Sequence, residues 1–462
     1  MIINKKRNYL LRLILALLTS LIITVSFLEI YNLAITTVGM VILFSLLIIV
    51  FPLFLVRDIF HPFIILSISM LLAVIDFLNK DLSGNTNSKV LTWVSGSDVN
   101  YLSIYSLVVI ICWYIFVYYG FLMASKIKKK QDTNFSFPKV NSPIRVSIIL
   151  GIAVVLGFLY SMSLLGGISG MINAMTHTTV AYSGLGYLRN IVGIGIFVAF
   201  LLLYGGYKKC AILFLIATSI MLTFFGGRAN VILGTILPFL MVYHYRVEKI
   251  RIWKLSLLAA IGLIFVEVIG VMRKMSESTI SFGGIWELIV NAAQATGRSE
   301  IVPALIGSIL NGNIEYQLGK PFINIIFAPI PRTLWDGKPE IIDDTVLIAY
   351  ELNGVSSYGM PAGPYGWAFF NFGWIGVIVM GLLTGYIIQK LYIKLVLERK
   401  TKDDFISVMF YSLIIQSVFN IFSTSPQAEI IWIVGIFLMI YFLDFLFALT
   451  SSKSRKYSQL IP

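Results

Sequence analysis

"YLSIYSLVVIICWYIFVYYGFLMASKIKKKQ", residues 101–131, decides the fold class. Residues 101–124 contain no charged side chain, and a run of that length is what an α-helix needs to cross the hydrocarbon core of a bilayer. A helix satisfies its backbone polar groups within its own segment, which a lone strand in lipid cannot do. The run ends in a lysine cluster, and lysines collect at the cytoplasmic ends of membrane helices.

The same pattern recurs along the chain. Hydrophobic residues make up 58% of the 462 and charged residues 12%, and the mean hydropathy is +0.89. A soluble chain would be about a quarter charged. The sequence therefore predicts an all-α polytopic membrane protein with about 12 spans. They fall at roughly 9–29, 33–55, 61–79, 101–124, 145–165, 185–205, 210–226, 229–245, 255–272, 373–392, 405–422 and 429–449. The first apolar stretch is long and no small-residue cleavage site follows it, so it is expected to remain as the first helix. "FFGGRAN" reads as a tight hairpin between spans seven and eight.

Charge sets the orientation. With the N-terminus in the cytoplasm, "KKR", "SKIKKKQ", "YKK", "YRVEKIRIWK", "LERKTK" and "SKSRK" all fall inside, about 25 of the 35 Lys and Arg. Both termini are then cytoplasmic. Three regions follow: helices one to nine (1–272), a long extracytoplasmic loop (273–372), and helices ten to twelve with a short tail (373–462). Within the loop, "SFGGIWELIVNAAQATGR" alternates polar and apolar faces at helical spacing and suits a helix in the membrane interface. "EIVPALIGSIL" reads as a second such helix.

Several function classes lose support. The net charge of +13 is spread in clusters between apolar runs, which argues against nucleic acid. Cys112 and Cys210 build no disulfide framework or CxxC motif. His61, His177 and His244 stand in no HExxH or other metal motif, and no Walker A or GxGxxG sequence is present. No cofactor or metal is expected.

The informative residues are those that break the positive-inside pattern. Arg189, Arg228, Arg273, Arg298, Arg332, Lys274, Lys320 and Lys338 lie externally or at outer helix ends. Asp76 and Glu267 sit near outer ends of spans, and Asp444 is the exception near an inner end. Ionisable groups at membrane depth are costly and mark sites. So many external cations call for an anion, and a lipid pyrophosphate suits the forked hydrogen bonding of arginine. Trp286 and Trp335 could stack on sugar rings or belong to an interfacial aromatic belt.

"FFGGRANVILGTILPFLMVYHYR" (224–246), "APIPRTLWDGKP" (328–339) and "GPYGWAFFNFGWIGVIVMGLLTGY" (363–386) together resemble the bacterial oligosaccharide repeat-unit polymerases, the Wzy-type O-antigen and capsule polymerases. The resemblance implies a bundle similar to the GT-C class of glycosyltransferases. It implies transfer of a growing glycan from undecaprenyl pyrophosphate to a new lipid-linked repeat unit, on the outer face of the bacterial cytoplasmic membrane. A chain-length regulator and a flippase of the same pathway are the partners it implies. The arginines matching the family's external candidates are Arg228 and Arg332, and the spacing from Arg273 to Gly284 fits an Arg-x10-Gly pattern. An acid that many members place before "NFG" is absent from "GWAFFNFG".

The chemistry asks for neutralisation of the leaving pyrophosphate and a base for the acceptor hydroxyl. Arg228, Arg332, Arg273 and Arg189 are the candidates for the first role. Asp336, Asp343, Asp344, Glu300 and His177 are the candidates for the second, although Asp336–Gly337 is also ordinary turn chemistry. Two rival readings are a ligase that moves finished glycan from the same lipid, and a lipid-oligosaccharide flippase or transporter. A flippase should carry polar residues through the middle of the bundle, whereas here they cluster outside.

Overall fold

The computed structural model describes residues 58–83, 99–126, 137–176, 186–225, 231–251, 253–258, 261–262, 300–321, 335, 337, 344–355, 359–397, 405–419 and 424–458. Among them the fold is all-helical, with no strand. The helices are α1 (Pro62–Ser83), α2 (Val99–Lys126), α3 (Pro143–Leu164), α4 (Gly167–Thr176), α5 (Gly186–Gly193), α6 (Gly195–Tyr204), α7 (Lys208–Phe224), α8 (Leu237–Arg246), α9 (Ile301–Leu310), α10 (Asp344–Asn353), α11 (Gly363–Tyr392), α12 (Phe405–Phe419) and α13 (Thr424–Ser458). Single π-helical turns, Ile232–Ile236 and Ile393–Leu397, precede α8 and follow α11.

Five stretches among the described residues are long and apolar enough to cross a membrane: Tyr101–Ser125, Pro143–Leu164, Tyr187–Tyr204, Gly363–Leu397 and Ile431–Thr450. They make this a multi-pass membrane protein. The first two expected spans and the interfacial helix expected around residues 281–298 lie outside the described residues.

The chain divides into two compact units, interleaved in sequence. In the first (1–130, 283–393 and 417–428), α2 packs along the second part of α11. Glycines permit the close approach: a Cβ on Gly120 would fall on the Leu382 carbonyl oxygen, one on Gly385 on the Val117 carbonyl oxygen, and one on Gly381 within 2.9 Å of the Trp113 carbonyl oxygen. Small residues at such contacts are how membrane helices gain van der Waals packing without a hydrophobic drive. The pairs ascend together, from Trp374 with Tyr105 to Gln389 with Ser125, so the two helices run parallel. At the start of α1, the Asp58 side chain accepts the Phe60 N–H, and His61 Nδ1 accepts the Phe63 N–H at 3.2 Å. Tyr392 closes this corner by donating its hydroxyl to Asp58 at 2.5 Å.

α11 is not one rod. At Phe372 (φ −138°, ψ 19°) and Gly373 (φ 58°, ψ −140°) the backbone leaves helical geometry. A Cβ on Gly376 would fall on the Ala368 carbonyl oxygen. In a straight helix residues eight apart are about 12 Å apart. The chain has therefore folded back on itself. Residues 363–371 form a short first limb, with Tyr365 beside Trp113 and Phe369 beside Tyr105, antiparallel to α2. Residues 374–392 form the second limb. The span expected to begin at 373 thus begins at the reversal, and residues 363–371 before it are also helical.

α9 occupies the place where a second interfacial helix was expected, but residues 302–309 are buried on every face. It packs against α2, α10 and α11. The reason is compositional: Ser308 is its one polar side chain, so it has no face to offer to water.

In the second unit (131–282, 394–416 and 429–462), α3 packs against α5 and α6, and α6 against α7. A Cβ on Gly195 would collide with Thr218, which sets how closely α6 and α7 meet. Phe137, Phe410 and Phe437 form a ring cluster with centroids 5.3–6.2 Å apart. Met171, Leu188, Val192, Leu222, Phe225 and Val231 form a further buried cluster.

Candidate functional site

The reversal in α11 leaves the carbonyls of Phe370 and Asn371 without the helical N–H groups that would follow them. Residues 317–318, on the turn after α9, supply replacements: Gln317 N–H donates to Phe370 at 3.1 Å and Leu318 N–H to Asn371 at 3.0 Å. Leu318 adopts φ 49° to do so. This is a left-handed conformation that a branched side chain rarely takes. Gly373 at the tip has no such cost, and its missing Cβ leaves room for Tyr316, whose hydroxyl would stand 3.2 Å from it.

Aromatic rings surround the tip. Trp374 donates its indole N–H to the Tyr105 hydroxyl at 2.7 Å. Tyr105, Tyr316 and Trp374 all contact Phe369, at centroid distances of 6.1, 6.2 and 6.1 Å. Phe369 is buried, whereas Tyr101 is 54% exposed, Tyr316 38% and Phe372 37%. Burial, followed by the neighbouring Tyr105, pushes the Tyr316 phenol up, so it stays a protonated donor. Gln317 Nε2 reaches Glu351 Oε1 of α10 at 3.4 Å. Asn371 donates from Nδ2 to the Trp367 carbonyl at 2.9 Å, and its buried Oδ1 has no hydrogen-bond partner among the described residues.

In the second unit, α5 carries Arg189 and Asn190, both exposed. Their neighbours Leu188 and Val192 pack with Phe225 and Val231, the described residues on either side of "GGRAN". The fold thus brings the helix bearing Arg189 to the described residues on both sides of that stretch. The π-helical turn Ile232–Ile236 follows directly, and such turns are frequent at functional sites. A separate apolar groove of about 390 Å³ lies between α3, α6 and α7, around Gly151, Val155, Val198 and Phe214.

The sequence-derived candidates divide as follows. Arg228, Arg273, Arg332, Asp336, Asp343, His177 and Trp286 lie outside the described residues. Glu300 precedes α9, where its carbonyl accepts the Ala304 N–H at 3.2 Å. Asp344 is the first residue of α10, a position favoured for an acid by the helix dipole. The next residue, Thr345, accepts the Met360 N–H at 2.7 Å, three residues before the first limb of α11. Trp335 is 37% exposed and its indole rests against Gly337. Among the described residues no group of three His, Cys, Asp or Glu side chains could hold a metal ion.

Compared with family models, curated proteins and solved structures, the chain matches none.

Sequence reasoning missed Tyr105, Tyr316, Gln317 and Glu351. Trp374, next to "NFG", was the available signal, but an aromatic at a span end reads first as part of a belt. Trp374 meets Tyr105 of α2 and Phe369 of the first limb, and Tyr316 from the turn after α9 meets the same Phe369; no local pattern announces that meeting.

Proposed function

We propose that this protein polymerises lipid-linked oligosaccharide repeat units on the outer face of the bacterial cytoplasmic membrane, as a glycosyltransferase with about 12 spans and a GT-C-like bundle. The observation that carries the reading is the reversal at Phe372–Gly373: α2, the turn after α9, α10 and the limb 363–371, all N-terminal to the second limb, build a polar and aromatic site at the tip of a membrane helix. Irregular backbone at a membrane helix is tolerated where it is buried in protein or lines a cavity, and such places are functional. The motifs that resemble the repeat-unit polymerases include this same stretch, "GPYGWAFFNFGWIG".

In the reaction the acceptor hydroxyl oxygen attacks C1 of the donor sugar. The bond from C1 to the pyrophosphate oxygen breaks, and undecaprenyl pyrophosphate leaves with that electron pair. The hydroxyl proton passes to a base, for which Glu300, Asp336, Asp343, Asp344 and His177 stand as candidates. Arg228, Arg332, Arg273 and Arg189 neutralise the leaving group. Trp335 and Trp286 contribute stacking faces. Both termini are cytoplasmic, and a chain-length regulator and a flippase of the same pathway are the expected partners.

The test is deletion in the native host, with surface and lipid-linked glycans separated by size. Loss of long chains with survival of single repeat units is expected. Long chains stranded on the carrier lipid would make the protein a ligase, and single units trapped on the inner leaflet would make it a flippase.

A further inference from the structure

The tip of the α11 reversal has chemistry of its own, distinct from the arginines. Its rings do not simply project outward as anchors. Tyr105, Tyr316 and Trp374 face one buried residue, Phe369, from three separate chain segments. The Tyr105 hydroxyl accepts from Trp374, which leaves its own proton to donate, and Tyr316 makes no hydrogen bond among the described residues. Two phenol donors thus stand unused beside partly exposed aromatic faces. The ionisable residues on the adjoining turn and helix are Glu315, Lys320, Asp344 and Glu351, three acids to one base, which is a poor setting for a phosphate. A pyranose fits instead: its C–H face packs on an aromatic ring and its hydroxyls take phenol hydrogen bonds.

We propose that this tip is a carbohydrate subsite, in which Tyr105, Tyr316 and Trp374 hold one pyranose of the glycan by stacking and by the two phenol hydroxyls. The proposal rests on the reading of the protein as a glycan transferase and gives that site its sugar-holding residues.

The test uses purified full-length protein, titrated with the repeat-unit oligosaccharide released by mild acid from the host's own carrier lipid, with tryptophan fluorescence as the readout. A saturable change is expected that inorganic pyrophosphate does not produce. Tyr316→Ala should bind about tenfold more weakly, and Tyr105→Phe, which keeps the ring, about threefold. Thermal unfolding of each variant is followed in parallel. If Tyr316→Ala melts early, Tyr316→Phe takes its place, with an expected loss like that of Tyr105→Phe. Absence of a saturable response in the wild type, or wild-type affinity in the variants, overturns the subsite. Long chains persisting in the deletion strain would overturn the polymerase reading instead, and would leave the binding result standing.

Discussion

The carboxylate of Asp444 accepts the backbone N–H of Ser142 at 2.6 Å, across 302 residues of sequence. The same carboxylate takes the Asn141 N–H at 2.9 Å and the Asn141 side-chain amide at 3.2 Å. Ser142 precedes α3 and makes no side-chain cap of its own, with Pro143 following at the first helical position. Asp444, from the middle of α13, therefore anchors the two residues that lead into α3, and its negative charge sits at the positive end of the α3 dipole. Asp444→Ala strands these donors and should cost about 1–3 kcal/mol. Asp444→Asn keeps a carbonyl acceptor and should cost less. Unfolding temperatures of the purified variants in detergent check this, and an unshifted Asp444→Ala would refute it.

Gly373→Ala should disturb the site more than the bundle. A side chain at φ 58° and ψ −140° costs about 1–3 kcal/mol, and its Cβ would press on the Tyr316 ring. Membrane abundance is expected to stay close to wild type while glycan chains shorten. Normal chain lengths would show that the reversal is only structural.

Gly385→Leu should do the opposite. Its side chain would enter the Val117 backbone, where nothing flexible can yield, so α2 and α11 must separate. Loss of the protein from the membrane fraction is expected, with glycan loss following in proportion. Immunoblotting beside the glycan gel distinguishes this from the Gly373 variant.

Arg332→Ala and Arg228→Ala should each abolish long chains in protein that remains inserted and abundant. Arg189→Ala should shorten them, and Arg189→Lys should rescue poorly if forked bonding to pyrophosphate is what matters. Wild-type chain lengths in Arg332→Ala would remove that residue from the mechanism.

How much of this was legible in the sequence varies by element. α2 and α3 match the expected spans within a few residues, because uncharged length is a local property. Asp444 stood out as a buried acid at an inner end, yet its role depends on a partner some three hundred residues earlier, which no window contains. The stretch read as a second interfacial helix is helical as α9, and with Ser308 as its one polar side chain it has no face for water and is buried among its neighbours. The limb 363–371 was not foreseen as a separate helix. Gly373 marked a boundary, but whether the chain bends or reverses there is set by Ala368 meeting Gly376 and by the turn at Gln317 and Leu318. For the site, Arg189 was singled out from sequence, whereas its closeness to Phe225 and Val231 and the Tyr105–Trp374–Tyr316 group had to be seen assembled.

The parallel course of α2 and the second limb of α11 has a topological consequence. If both cross the bilayer, α2 ends on the face opposite to the one where that limb begins. The chain between Lys126 and Gly373 must then make an odd number of complete crossings, and the re-entrant limb adds none. The five spans read between residues 145 and 272 obey this parity. Gaining or losing a single one would invert α11 and set Gly381 and Gly385 against the wrong end of their partner. Across this stretch, membrane helices can be added or removed only in pairs.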